Sequence, residues 1–136
     1  CRWAARVVFV NGHGGNTRTL IEAVTRLRYE GRDVAWFPCA FEGADAHAGF
    51  TETSVLLHVS PSVVDPDRAA AGNREPVGAL MGAMRSGGVA AVSPNGVLGD
   101  PEGASAEAGA GLVDEVTDRL WAALESWQID DLGRLR

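Results

Sequence analysis

Apolar positions along this chain of 136 residues change their period several times, and each change marks an element. Val7-Val8-Phe9-Val10 is a continuous apolar, largely β-branched run, the pattern of a strand buried on both faces of a parallel sheet. It breaks at Asn11-Gly12-His13-Gly14-Gly15-Asn16, which is turn chemistry. From Thr17 the period becomes helical. Leu20, Ile21, Val24 and Leu27 share one face, while Arg18, Glu22, Arg26 and Glu30 fall elsewhere. Asn16 or Thr17 is a natural N-cap and Gly31 a natural stop. Val34-Ala35-Trp36-Phe37 reads as the next strand, closed by Pro38. Strand, turn, helix and strand in that order make a βαβ unit, and the expected class is α/β.

Beyond this unit the pattern loosens. Residues 40–50 read as a loop rich in Gly, Ala and His, and Thr51 to Val59 as a short helix closed by Pro61. A polar stretch with Pro61, Pro66, Gly72, Asn73 and Pro76 reads as a long surface excursion. Leu80, Met81 and Met84 suggest one more short helix, and Val89-Ala90-Ala91-Val92 a brief strand. Loops follow at Asn95-Gly96, Gly99-Asp100-Pro101 and Gly103. Leu112, Val113, Val116, Leu120, Leu124 and Trp127 recur at helical spacing and define the clearest helix.

Composition adds limits rather than direction. Hydrophobic residues make up 46% and charged residues 22%, an ordinary globular balance for one domain. A formal charge of −6 argues against nucleic acid as partner, because phosphate contacts need an excess of Lys and Arg. No apolar run approaches the roughly 18 residues of a membrane span, so no membrane partner is expected. Cys1 and Cys39 do not form a disulfide framework, and a cytoplasmic setting is the simpler expectation. The chain lacks an initiator Met and enters its first strand almost at once, which suggests a piece cut from a longer chain.

Two segments carry candidate chemistry. The 11–16 turn lies at the carboxyl end of a strand, where open α/β sheets bind ligands. Its glycines leave open backbone around His13, and the helix that follows points its positive end there. The turn has neither a Walker Lys nor GxGxxG spacing, so phosphate is not the first reading. His13 is a metal ligand or proton carrier on this view, or else a structural His in a turn. In the second segment, His47 and Glu52 flank the start of a helix. Near His13 they would give the mixed N and O ligands that Zn²⁺, Mn²⁺ or Fe²⁺ accept. The plain alternatives are a loop histidine and a helix N-terminal acid.

Other residues favour plainer roles. His58, among Leu56, Leu57 and Val59, reads as helix packing. Trp121 and Trp127 read as core or subunit contacts on the last helix. Cys39 reads as a small buried hydrophobe. Cys1 is a possible N-terminal nucleophile, although a processed end explains it more cheaply. Asp100 sits in a turn that borders a site at most.

Taken together the motifs are specific. Asn11-Gly12-His13-Gly14-Gly15-Asn16 resembles the NGHGGN signature of the creatininase family, and His47-Ala48-Gly49-Phe50-Thr51-Glu52-Thr53-Ser54 its HAGxxETS segment. Residues 96–101 and 104–109 resemble its later loop and terminal helix. Within the family, Gly72-Asn73-Arg74-Glu75-Pro76 and the stretch 85–94 are most similar to the creatininase-like peptidases of the mycofactocin system. That branch removes a C-terminal Val-Tyr dipeptide from a modified precursor peptide.

The resemblance implies a three-layer αβα sandwich with a mostly parallel sheet, of which residues 1–136 are the C-terminal part of a single domain. It implies a metal-dependent hydrolase of amide or peptide bonds, with a divalent transition metal, two ions of Zn, Fe or Mn, activating a water. On this reading His13 and Glu52 are metal ligands and His47 is the catalytic acid/base, while Gly14, Gly15 and Asn16 contact substrate. Creatinine-hydrolysing members carry a carboxylate where this chain has Gly15 and an acid where it has Ala46, which disfavours creatinine itself. The family's Glu-x-His pair and bridging Asp lie in an N-terminal segment absent from this sequence. The chain is therefore expected to be inactive alone, with a separate segment supplying the remaining ligands, and to act in a homo-oligomer. The alternatives are a creatinine or formamide amidohydrolase of the same family, or a noncatalytic α/β binding module.

Overall fold

The computed structural model describes residues 3–136, so the readings placed on Cys1 lie outside the described residues. The elements run β1 (Val7–Asn11), α1 (Thr17–Tyr29), β2 (Val34–Pro38), α2 (Phe50–Val59), α3 (Val77–Gly87) and α4 (Ala106–Ser126), with short 3₁₀ turns between them. The chain is α/β and forms two compact units. One comprises the residues up to Ala40 together with Val116–Arg136, and the other is Phe41–Glu115.

In the first unit β1 and β2 pair in parallel, with Val7 opposite Val34 and Asn11 opposite Pro38. Such a pair requires a crossover, and α1 supplies it. The apolar face of α1 packs through Val24, Leu20, Ile21 and Leu27 on Val7, Val34 and Trp36. Each such side chain, fully buried, contributes about 1.5–3 kcal/mol. Gly31 ends the helix segment with φ of 80°, as a left-handed stop.

The C-terminal tail, which carries no clear period, adds to this core. Trp36 donates its main-chain N–H to Gly133 and accepts from Leu135, and its indole donates to Leu132 O at 3.0 Å. Leu135 is 1% exposed. Gly133 is required here. Its φ is 75°, and a Cβ on it would lie 2.4 Å from Val24 Cγ1. Asp130 pins the tail's turn. Burial raises its pKa, but hydrogen bonds from the Arg134 and Leu132 amides and the Arg136 charge outweigh this and hold it below the ordinary 3.8.

Trp127 lies just beyond α4 in a left-handed conformation, φ 45°, rather than within the helix. Its indole donates to Asp33 at 2.8 Å, and the Arg6 guanidinium lies 4.6 Å from its ring centre. Trp121 is exposed, so it is not core. β1 also departs from the pattern read in its sequence. Phe9 and Val10 are 40% and 51% exposed, because among the described residues only β2 pairs with β1.

In the second unit, α3 begins at Val77 after Pro76 and is longer than Leu80–Met84 alone suggests. Residues 89–91 form a 3₁₀ turn, not a strand. Gly88, φ 70°, reverses the chain, and the amides of Val92 and Ser93 close back on Val89 O. α4 starts six residues before Leu112, capped by Ser105, whose hydroxyl accepts from the Ala108 amide at 3.1 Å. Its small residues admit α2, since a Cβ on Gly109 would lie 1.9 Å from Ser54 O. His58 is exposed on α2 with its Cβ beside Gly109. No helix among the described residues is long and apolar enough to cross a membrane.

Candidate active site

The first candidate segment lies in the first unit, directly after β1. Asn11, 9% exposed, organises it through its side chain. Its Nδ2 donates to His13 O at 3.0 Å, while its Oδ1 accepts from His13 N at 3.3 Å and from Asn16 Nδ2 at 3.4 Å. The Asn11 carbonyl accepts from Cys39 N at 2.8 Å. These bonds satisfy a buried amide and hold the turn at its base. Asn16 occupies the N-cap position of α1, but its side chain turns to Asn11 instead of capping.

His13 itself is exposed. Its imidazole lies over Gly15, where an added Cβ would come within 2.7 Å of Nε2. Position 15 therefore has to be glycine for His13 to keep this rotamer. The loop from Gly12 to Gly15 and the end of α1 leave the imidazole open to a ligand.

The second segment lies in the other unit and is built around the start of α2. His47 pairs with Leu98 in an antiparallel bridge, which fixes its main chain. Its Nδ1 lies 2.9 Å from Glu52 Oε2, and that oxygen also accepts from Ala48 N at 2.7 Å. Ala48 takes a left-handed conformation, φ 54°, that turns its amide to this carboxylate. Both side chains of the pair remain about half exposed, 57% for His47 and 46% for Glu52. Thr51 and Ser54, on either side, are buried, and Ser54 Oγ accepts from Ser105 N. The segment thus alternates structural residues with a solvent-facing acid.

Asp45, the first residue of this segment, takes part in it in a way its sequence position alone does not specify. Its Oδ1 accepts from the Thr51 amide at 3.1 Å, capping α2 from outside the helix. Its Oδ2 is turned inward against Gly49, on which a Cβ would lie 1.4 Å away. An Asp six residues ahead of a helix start is the only signal that the sequence offered. Asn11 gave even less, because its work is to bind main chain.

His47 and Glu52 are therefore brought together, while His13 is held by its own network in the other unit. Among the described residues, no group of three or more His, Cys, Asp or Glu side chains stands together as a metal site. His13 presents an exposed imidazole on a turn held by Asn11. Cys39 is a partly buried free thiol.

A family model described as creatininase, creatinine amidohydrolase, matches residues 2–124. The chain belongs to the creatininase family. Among its relatives, the mycofactocin precursor peptide peptidase of Mycolicibacterium smegmatis is 53% identical over 98% of this chain and 54% of that protein. The mycofactocin precursor peptide peptidase of Mycobacterium tuberculosis (strain H37Rv) is 57% identical over 87% of this chain and 49% of that protein. The chain thus spans about half the length of the relatives it matches. A solved structure, a putative creatinine amidohydrolase from Bacteroides fragilis, shares the fold with a TM-score of 0.65. It is 23% identical and the match covers 88% of this chain and 52% of that one.

Proposed function

We propose that this chain is part of a metal-dependent peptidase that removes the C-terminal Val-Tyr dipeptide from a modified mycofactocin precursor peptide. The observation that carries the reading is the 2.9 Å contact of His47 with Glu52, in a chain more than half identical to named precursor peptide peptidases. Glu52 fixes the proton of the imidazole on Nδ1. Nε2 is left as the acceptor that takes a proton from the attacking water and returns it to the leaving amine.

His13 offers its imidazole as one metal ligand, and Glu52 retains Oε1 for the same purpose beside its bond to His47. Divalent Zn, Fe or Mn, two ions on this reading, would supply a lowered pKa for a bound water and polarisation of the amide carbonyl. Gly14 and Gly15 give the peptide close access to backbone, and Asn16 borders the same turn. Assembly is that of a homo-oligomer, in the cytoplasm.

Reconstitution with the N-terminal half of a relative tests this reading. We expect loss of a Val-Tyr dipeptide from the modified precursor by mass spectrometry, with creatinine untouched. Hydrolysis of creatinine with the peptide left intact would overturn the reading. Full activity of this chain without the added half would overturn the need for a separate segment.

A further inference from the structure

The second unit contains a cleft of 590 Å³ lined by Phe50, Pro76, Val77 and Leu98 together with Arg74 and Asp100. Asp45 and Ala46 also line it and lead directly into His47. A second cleft, of 490 Å³, shares Arg74 and Asp100 with the first, so this ion pair forms a common wall. Asp100 is anchored on its own account, since its Oδ1 accepts from Glu102 N at 3.0 Å. The Arg74 loop is anchored as well. Asn73 Nδ2 donates to Val92 O, and Asn73 Oδ1 accepts from Glu75 N. An arginine fixed in this way at the end of an apolar cleft is poorly explained by stability, because exposed ion pairs contribute little.

The backbone pairing sets the distance between this arginine and His47. Leu98 exchanges main-chain bonds with His47, at 2.8 and 3.1 Å. The carbonyls on either side of it, Val97 and Gly99, accept from Asn73 and Gly72, both at 3.0 Å. In an extended segment successive residues bond in opposite directions, so 97–99 lies between the His47 chain and the Arg74 chain. Two such spacings put the flanking backbones about 10 Å apart. An extended C-terminal dipeptide spans about 7 Å from its scissile carbonyl to its carboxylate. The two spans are commensurate once the ends of the side chains are allowed for.

We infer that Arg74 binds the free α-carboxylate of the peptide substrate and so sets the leaving piece at two residues. The inference rests on the peptidase reading above and adds the specificity-determining group. The pair with Asp100 engages one nitrogen of the guanidinium. A guanidinium carries five N–H donors in a fork suited to a carboxylate. Of the nearby acids, Asp100 is committed to Arg74 and the Glu102 amide, Asp45 turns its second oxygen inward, and Glu75 is exposed and screened by water. The apolar walls suit a large, aromatic last residue.

Titration of the chain with acetyl-Val-Tyr and with its C-terminal amide tests this directly by calorimetry. The acid is expected to bind about tenfold more tightly than the amide, and Arg74→Gln to abolish that difference while leaving affinity for the amide unchanged. Equal affinity of the wild type for the two ligands, or a preference for acid that survives Arg74→Gln, overturns the inference. Neither result touches the peptidase reading, which is decided by dipeptide release in the reconstituted enzyme. If Arg74→Gln does not fold, Arg74→Lys must still weaken binding of the acid at least threefold, since it lacks the fork. Undiminished binding of the acid by the lysine variant overturns the proposal.

Discussion

His13 and His47 are held in opposite ways. Around His13 the protein grips main chain. Asn11 takes both the amide and the carbonyl of the histidine, and the imidazole stands free over Gly15. Around His47 the protein grips the ring, with Nδ1 directed at Glu52 Oε2. A free ring on a rigid turn can offer a nitrogen to a metal, whereas a ring with one nitrogen committed has a defined tautomer and a single nitrogen for proton transfer. On the proposed reading, this difference in holding assigns metal binding to His13 and proton transfer to His47.

Replacing each histidine in the reconstituted enzyme tests that division, with the largest effects expected. His47→Ala should lower kcat about 10²- to 10⁴-fold with metal content unchanged. His13→Ala should abolish activity through loss of bound metal, measured by elemental analysis after desalting. If His47→Ala lost the metal and His13→Ala kept it, the roles would be reversed and the contrast in holding would carry no functional meaning.

The residues that do the holding sharpen the same contrast. Glu52→Gln should reduce both kcat and metal affinity by about 10- to 100-fold or more, because Glu52 orients His47 and offers Oε1 to the metal, with little change in unfolding free energy. Asn11→Ala should act on stability instead, because it strips partners from the main chain of the turn. The cost is about 1–3 kcal/mol by denaturant unfolding. A fully stable Asn11→Ala protein would mean that the turn does not depend on its base.

These two holders also mark how far the sequence could be read. The βαβ unit was legible because its information is local: an apolar run, a glycine turn and the 3.6-residue period of Leu20, Ile21, Val24 and Leu27. The family motifs were legible for the same reason, but they pointed His47 and Glu52 toward His13 and did not announce the 2.9 Å contact between the two. Long-range pairing was not legible. Leu135 is nearly fully buried because the tail pairs with Trp36, about a hundred positions away, and no local period announces it. The apolar run of β1 suggested burial on both faces, yet exposure is decided by neighbours that a run of four residues does not encode. Val89-Ala90-Ala91-Val92 failed as a strand because Gly88 reverses the chain and, among the described residues, no strand pairs with it. Asn11 and Asp45 stayed hidden because both act by binding amides, which any polar side chain near a turn can do.

The smallest effect concerns the residue between the two members of the pair. Ala48 has φ of 54° so that its amide meets Glu52 Oε2. For an alanine this conformation costs about 1–2 kcal/mol. Glycine would relieve that strain but lose about 0.5–1 kcal/mol more chain entropy on folding. Ala48→Gly should therefore stabilise the protein by about 0.5 kcal/mol, a rise of a few degrees in Tm by calorimetry. Its kcat should hold, because the amide that Glu52 accepts is still present. A lowered Tm would show that the left-handed turn at Ala48 is not strained. A lowered kcat with a raised Tm would show instead that the alanine restrains the loop, and that His47 is held by its backbone as much as by its ring.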